Sequence, residues 1–280
     1  MRYISSPPDS KWVGFAVATL LGLMVLLTFS SCGGGGPKVD PAKYRDWSKS
    51  QTARFNFYFS PTSTWKDTIK VADLTNGYER FLKEICAILE MPIPDGKIDM
   101  YIYASDRELK EMTGGDGQFS TENAIHWGGL YPYGYQLTKF LLEKKGIKPG
   151  QFRVMNEGVP NLLDYSGFNY HDKTNRLVNS KKLVPLAELG DNARFDSLGF
   201  TLRRAEAASF CGFIMYNYGL DRLFMLWQSS VDWKKSVETI FQMPLDEFEK
   251  AWLAFARNNT DDPDGTMDND TAQDMKVNIQ

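Results

Sequence analysis

Two short stretches decide the fold of this chain, and the first reads Tyr135-Gln136-Leu137-Thr138-Lys139. The apolar spacing around it predicts an amphipathic helix over about residues 134–145. On such a helix, residues four positions apart share a face, so Tyr135 and Lys139 point the same way. The second stretch is Asn156-Glu157-Gly158, where we predict that the next helix begins.

Alternating and helical patterns around these stretches predict a small N-terminal sheet and a mainly helical C-terminal half. Apolar alternation indicates strands at 55–59, 98–102 and 124–127, with a helix over 66–90 between the first two. This order of elements is typical of an α+β fold. Residues 166–200 read as polar and irregular, with short helices around Leu186 and Phe195. The last third of the chain has patterns that predict helices over 205–218, 220–229 and 233–241, and a final helix that Pro244 and Asp246 begin and that runs through Arg257.

The order of elements and the two stretches together resemble the gluzincins, a peptidase-MA-like group of zinc peptidases. Where this chain has residues 135–139, the family has His-Glu-x-x-His, and its Asn-Glu-Gly motif corresponds to residues 156–158. The family's closing helix resembles the stretch that starts at Pro244-Leu245-Asp246-Glu247-Phe248. The match covers most of residues 50–257. It implies a sheet packed on the zinc helix, a glutamate helix, and a helical half that closes a cleft.

Carried over residue by residue, the resemblance implies a zinc site that has lost most of its chemistry. A catalytic zinc takes three protein ligands, and the family's two histidines are replaced by Tyr135 and Lys139. Gln136 stands in place of the general base and cannot take a proton from water. Only Glu157 remains as a ligand, so we expect no metal, no other cofactor and no catalysis. We predict instead that Lys139 pairs with Glu157, with the Tyr135 hydroxyl bonded beside them.

The residues leave other interpretations of this site open. Tyr135 and Lys139 could be ordinary residues of an amphipathic helix, with Glu157 placed near a helix start, where the helix dipole favours an acid. The aromatic residues Trp127, Tyr131 and Tyr133 could line a ligand groove, or they could belong to the core. The rival functions are an active hydrolase with a displaced site and a purely structural envelope domain.

The N-terminus reads as a targeting segment. Arg2 and Lys11 precede an apolar run that ends in Ser30-Ser31-Cys32. The pattern resembles a bacterial lipoprotein signal, which implies a signal peptide over 1–31 and a lipid on Cys32; an uncleaved anchor is the alternative. Both place the chain in the cell envelope. Gly33 after the cysteine, rather than an acid, favours the outer membrane over the inner one.

Composition divides the rest of the chain and limits its partners. Residues 32–50, which are glycine-rich at their start, are predicted to form a tether. We predict that residues 51–258 form the folded domain and that residues 259–280 form an acidic disordered tail. A formal net charge of −3 gives no electrostatic case for nucleic acid. The expected partners are the membrane, through the anchor, and a peptide, glycan or envelope protein. Cys86 and Cys211 predict either a disulfide or two buried thiols.

Overall fold

Five strands form one mixed sheet in the part of the chain that the computed structural model describes, residues 40–64, 68–115, 117–129 and 133–260. Their order across the sheet is β1-β2-β3-β5-β4. The central strands β2, β3 and β5 are parallel, and the edge strands β1 and β4 pair antiparallel with their neighbours. The strands are β1 (Ser48–Gln51), β2 (Phe55–Phe59), β3 (Ile98–Ile102), β4 (Phe119–Ser120) and β5 (Ala124–Trp127).

Helices make up most of the remaining described residues. The α-helices are α1 (Thr68–Ile88), α2 (Asp106–Thr113), α3 (Tyr133–Lys144), α4 (Arg153–Leu162), α5 (Tyr170–Asn179), α6 (Leu186–Leu189), α7 (Asn192–Ser197), α8 (Phe200–Trp227), α9 (Trp233–Phe241) and α10 (Leu245–Asn258). A 3-10 helix over Pro41–Tyr44 precedes them. The predicted mixture of a small N-terminal sheet and a helical C-terminal half is confirmed. In the described residues, no helix is long and apolar enough to cross a membrane.

The inner face of the sheet carries the main core. Phe55, Phe57 and Phe59 of β2 are each at most 2% exposed, which explains the strict alternation seen in the sequence. Helices α1 and α3 belong to the same hydrophobic cluster, to which they contribute apolar side chains such as Tyr78 and Leu137. The helix that bears residues 135–139 is therefore held against the sheet by its apolar side.

The outer face carries a stack of four rings that crosses four strands. Tyr58, Tyr101, His126 and Phe119 occupy paired positions on β2, β3, β5 and β4. Successive ring centroids are 4.7, 4.8 and 4.4 Å apart, and the interplanar angles are 11° or less. His126 lies inside the stack and is fully buried, and burial lowers its pKa to about 4. A separate cluster of buried aromatic residues, around Tyr44 and Trp47, covers part of this face.

Two boundaries and one helix differ from what the sequence predicts. The tether assigned to residues 32–50 ends too late, because β1 starts at Ser48 and Trp47 is buried in a core cluster. Helix α4 begins at Arg153, so Glu157 lies inside the helix and not at its start. Helix α5 was not predicted, because its buried face contains Thr174 and Asn175 where a core helix usually has apolar residues.

The long helix α8 is interrupted where the sequence predicts a helix end. Gly219 has a φ of 80°, in the left-handed region that glycine adopts without steric cost. The predicted helices over 205–218 and 220–229 are therefore two separate helical segments that meet at Gly219, whose ψ of 173° is also non-helical. The predicted signal segment, Cys32 and the glycine-rich start of the tether lie outside the described residues. The acidic tail from residue 261 onward also lies outside them.

Candidate functional site

Backbone contacts fix the start of α3 against the end of α4. The Gly134 amide donates a hydrogen bond to the Asp164 carbonyl at 2.9 Å, and the Thr138 hydroxyl donates to the Leu163 carbonyl at 3.3 Å. A Cβ atom at position 134 would lie 2.4 Å from the Leu163 carbonyl oxygen, so only glycine permits this approach. The contact brings the side chain of Tyr135 to α4.

The Tyr135 hydroxyl donates a hydrogen bond to Glu157 Oε2 at 2.9 Å. Tyr135 is 3% exposed, whereas Glu157 is half-buried. The predicted contact between this hydroxyl and this carboxylate is therefore confirmed. A hydrogen bond to a charged group stabilises a protein by about 1.5–3 kcal/mol, so the contact helps to hold α3 against α4.

The predicted ion pair between Lys139 and Glu157 is wrong. It is absent from the ion pairs that residues 133–260 form. Lys139 Nζ lies instead 5.6 Å from the centroid of the Tyr135 ring, within cation–π range. Lys139 is only half-buried, so its strongly hydrated ammonium group can stay in contact with water. The Tyr135 hydroxyl already donates a hydrogen bond to one oxygen of the Glu157 carboxylate, so this carboxylate depends less on a counter-ion.

Gln136 is the least satisfied polar side chain of the site. It is 1% exposed, and neither its Oε1 nor its Nε2 has a hydrogen-bond partner. A buried amide left without partners costs about 1–3 kcal/mol for each unmet group. The stability of the fold alone therefore does not explain a glutamine at this position.

Of the three aromatic residues proposed for a groove, the structure describes the surroundings of Trp127 alone. Trp127 is 3% exposed and belongs to the main core, which was the alternative interpretation of this residue. Tyr131 lies outside the described residues. Tyr133 is the first residue of α3, but its side chain also lies outside them.

The residues at the site do not fit the zinc ion that the resemblance implies. Tyr135 donates its hydroxyl proton to Glu157, Gln136 is a neutral amide, and Lys139 is a cation that repels a metal. Among the described ranges, no three His, Cys, Asp or Glu side chains lie close enough together to hold a metal ion. Of the four residues at the family's zinc-site positions, only the Glu157 carboxylate could therefore bind a metal ion.

Neither histidine supplies a catalytic pair. His126 is enclosed in the ring stack, where its Nδ1 is 2.8 Å from the Tyr103 hydroxyl. His171 Nδ1 is 2.9 Å from Ser209 Oγ, the arrangement of a base and a nucleophile. Ser209 is fully buried, however, and its oxygen also accepts a hydrogen bond from the Trp252 indole at 3.0 Å. A substrate has no access to this oxygen, so the pair acts as a polar link between helices.

Both cysteines in the described residues are free and buried, so the disulfide alternative is wrong. Burial raises the pKa of Cys86 to about 11 and also raises the pKa of Cys211. A thiol with a raised pKa is a poor nucleophile at neutral pH. Neither cysteine is therefore a candidate for catalysis.

A buried polar network behind the site was missed at the level of sequence. Arg204 Nη2 lies 2.7 Å from Asp164 Oδ2 and donates to the Tyr170 hydroxyl at 2.8 Å, and Arg204 Nε donates to Asn161 Oδ1 at 2.7 Å. Asn161 in turn donates to the Glu157 carbonyl at 2.7 Å. The network thus supports the helix that carries Glu157. The one sequence signal was the position of Arg204, four residues before Ala208 and therefore on the same apolar helix face.

Compared with known proteins, the chain matches no protein-family model, and no curated protein is significantly similar to it.

Proposed function

We propose that this chain is a lipid-anchored binding protein of the bacterial cell envelope, with a non-catalytic domain related to the gluzincin peptidases. The observation that carries the proposal is the 2.9 Å hydrogen bond from Tyr135 to Glu157. In the family, these two positions hold one metal ion. Here a protonated hydroxyl and a carboxylate bind each other, an arrangement that serves structure and not hydrolysis.

The arrangement of helices around the site supports the relationship to the gluzincins. Helix α3 lies under the sheet, α4 packs across the start of α3, and the long helix α8 packs along α4 through Gly158. This is the order that the resemblance implies for the zinc helix, the glutamate helix and the helical half.

The charged groups left at the site favour a ligand that carries charges of both signs. Gln136 is 1% exposed and both polar atoms of its side chain are buried, so its amide is not available to a ligand. Lys139 and Glu157 are both half-buried and provide one charge of each sign. Peptides of the envelope carry charges of both signs and can pair with both side chains.

Metal content and hydrolysis test the absence of catalysis. The full chain, purified in detergent, should carry far less than one zinc per chain and should show no chelator-sensitive cleavage of peptides. The matched control is the triple variant Tyr135→His/Gln136→Glu/Lys139→His, which restores the family's ligands and should bind more zinc. About one zinc per unmodified chain, with cleavage that a chelator stops, would favour the active hydrolase.

Replacing Gln136 with methionine should stabilise the fold. Methionine has a similar volume and no unmet polar group, so we expect the free energy of unfolding, measured by urea denaturation, to rise by about 1–3 kcal/mol. Lys139→Met removes the half-buried cation instead and should weaken the binding of soluble peptidoglycan peptides, measured by calorimetric titration. The exposed Gln228→Met serves as the control and should change neither quantity. A destabilised Gln136→Met variant would mean that the amide contributes to the fold instead.

Replacing Cys32 with alanine tests the anchor. If the apolar run ending in Ser30-Ser31-Cys32 is a lipoprotein signal, the variant should remain uncleaved and should take up no radiolabelled fatty acid. The unmodified chain, expressed in parallel, provides the reference for mass and labelling. Equal labelling of both proteins would remove the lipoprotein assignment and favour an uncleaved anchor.

A further inference from the structure

Helix α5 and the turn after it present a basic surface, defined here as Lys173, Arg176, Lys181 and Lys182. The single acid between Ser166 and Leu183 is Asp172, so this segment has a formal net charge of +3. Lys181 and Lys182 are exposed, and Lys173 and Arg176 are half-buried. On the helix, Arg176 follows Lys173 by three positions and Asp172 by four, so it neighbours both on one side of α5.

The last described residues of the chain contact the same side of α5. The Asn169 side-chain amide donates to the Asn259 carbonyl at 3.3 Å, and the Thr260 hydroxyl donates a hydrogen bond to the Asp172 carboxylate. Asn169 is the N-cap of α5, so the chain leaves the domain at the N-terminal end of the basic surface. Thr260, the last described residue, therefore lies beside Asp172, which directly precedes Lys173 on α5.

The segment that follows is strongly acidic. Residues 261–280 contain six aspartates and a single lysine, Lys276. An extended chain advances about 3.3 Å per residue, whereas a helix rises about 1.5 Å per residue. From Thr260, two to four extended residues therefore span the distance from Asp172 to Arg176. Asp262 and Asp264 can reach the helix side, and Asp268 and Asp270 can reach the turn at Lys181 and Lys182.

We propose that the acidic segment 261–280 docks on the basic surface of α5 in the same chain. Opposite charges attract across this contact, and the covalent connection at Thr260 gives the segment an effective concentration that a separate molecule in solution does not reach. The contact would cover the basic surface and keep other anions, such as lipid headgroups, away from it. Because it depends on exposed charges, it should weaken as salt screens them.

Carbodiimide cross-linking of the full chain in detergent tests this contact, since it joins a lysine amine to a carboxylate only when the two groups touch. We expect cross-links from Lys173, Lys181 and Lys182 to aspartates of the 261–280 segment, and high salt should suppress them. Lys181→Glu/Lys182→Glu should lower the yield of the cross-links from Lys173 at least about fivefold, because the segment loses two of the four charges that hold it. The matched control, Lys144→Glu/Lys145→Glu, changes another adjacent lysine pair and should leave the yield unaltered.

Mixing isotopically light and heavy chains identifies the occupant. Cross-links within one isotope class support docking in the same chain, whereas mixed cross-links would assign the surface to the segment of a second copy and overturn the proposal. Cross-links spread evenly over the lysines of the domain would also overturn it. If vesicles of phosphatidylglycerol and phosphatidylethanolamine protect Lys181 and Lys182 from acylation and no tail cross-links form, the surface belongs to anionic lipid.

Discussion

Replacing Arg204 with methionine should lower the free energy of unfolding by about 3–5 kcal/mol. The Arg204 side chain is 7% exposed and its partner Asp164 is 2% exposed, so the substitution leaves a buried carboxylate without its counter-charge. It also removes the donors that Asn161 and Tyr170 use. Chemical denaturation followed by circular dichroism measures the change.

Two further variants establish the physical reason for the Arg204 effect. Arg153 forms a comparable pair with Asp196 at 3.1 Å, but both side chains are at least 41% exposed. Arg153→Met should therefore cost under about 1 kcal/mol. In the double variant Arg204→Met/Asp164→Asn, removal of both charges should restore part of the loss. A cost below about 1 kcal/mol for Arg204→Met would show that the network does not stabilise the fold.

The second large effect is expected for Gly158→Ala, in the helix that carries Glu157. A Cβ atom at this position would lie 2.4 Å from Cys211 Sγ and 2.6 Å from the Ala207 carbonyl oxygen. A backbone carbonyl cannot move aside cheaply, so α4 and α8 must separate, at a cost of about 1–3 kcal/mol. The shift also changes the position of Glu157 relative to Tyr135. Loss of thermal stability and a changed Tyr135 environment in NMR spectra would be the two readouts.

The same substitution at Gly77 is the control for Gly158→Ala. Gly77 lies in α1, and a Cβ atom there would meet only the ring of Phe81 at 3.4 Å. Alanine has a higher helix propensity than glycine, so Gly77→Ala should be neutral or stabilising by up to about 1 kcal/mol. Equal destabilisation by both substitutions would contradict the argument from close helix packing.

Patterns of burial made most of the fold predictable from the sequence. The strand Phe55–Phe59 and the helix Trp233–Phe241 have the predicted bounds, because apolar side chains on one face must leave water. The same reasoning failed for α5, whose packed face contains polar residues that find partners, such as Thr174 with the Ala205 carbonyl. Periodicity identifies apolar faces, and it does not detect a face held together by hydrogen bonds.

The candidate site was predictable only in part, for a related reason. The hydrogen bond from Tyr135 to Glu157 was predicted because the resemblance to a zinc-peptidase site implies that these two residues face each other. The resemblance did not determine the position of the Lys139 ammonium, because hydration competes with pairing for a half-buried cation on a flexible side chain. Arg204 is 40 positions from Asp164 and 43 positions from Asn161 in the sequence. No local sequence pattern encodes contacts between residues so far apart.

The ring stack on the outer face of the sheet limits how the sheet can move. Tyr101 and His126 each have a parallel ring on both sides, so neither can rotate about its own axis until a neighbour withdraws. Strand β4 has only two residues, and Phe119 joins it to the end of the stack. Slow rotation of the Tyr101 ring would therefore report transient opening of the sheet, which starts at the Phe119 end and occurs on the microsecond-to-second timescale of local unfolding.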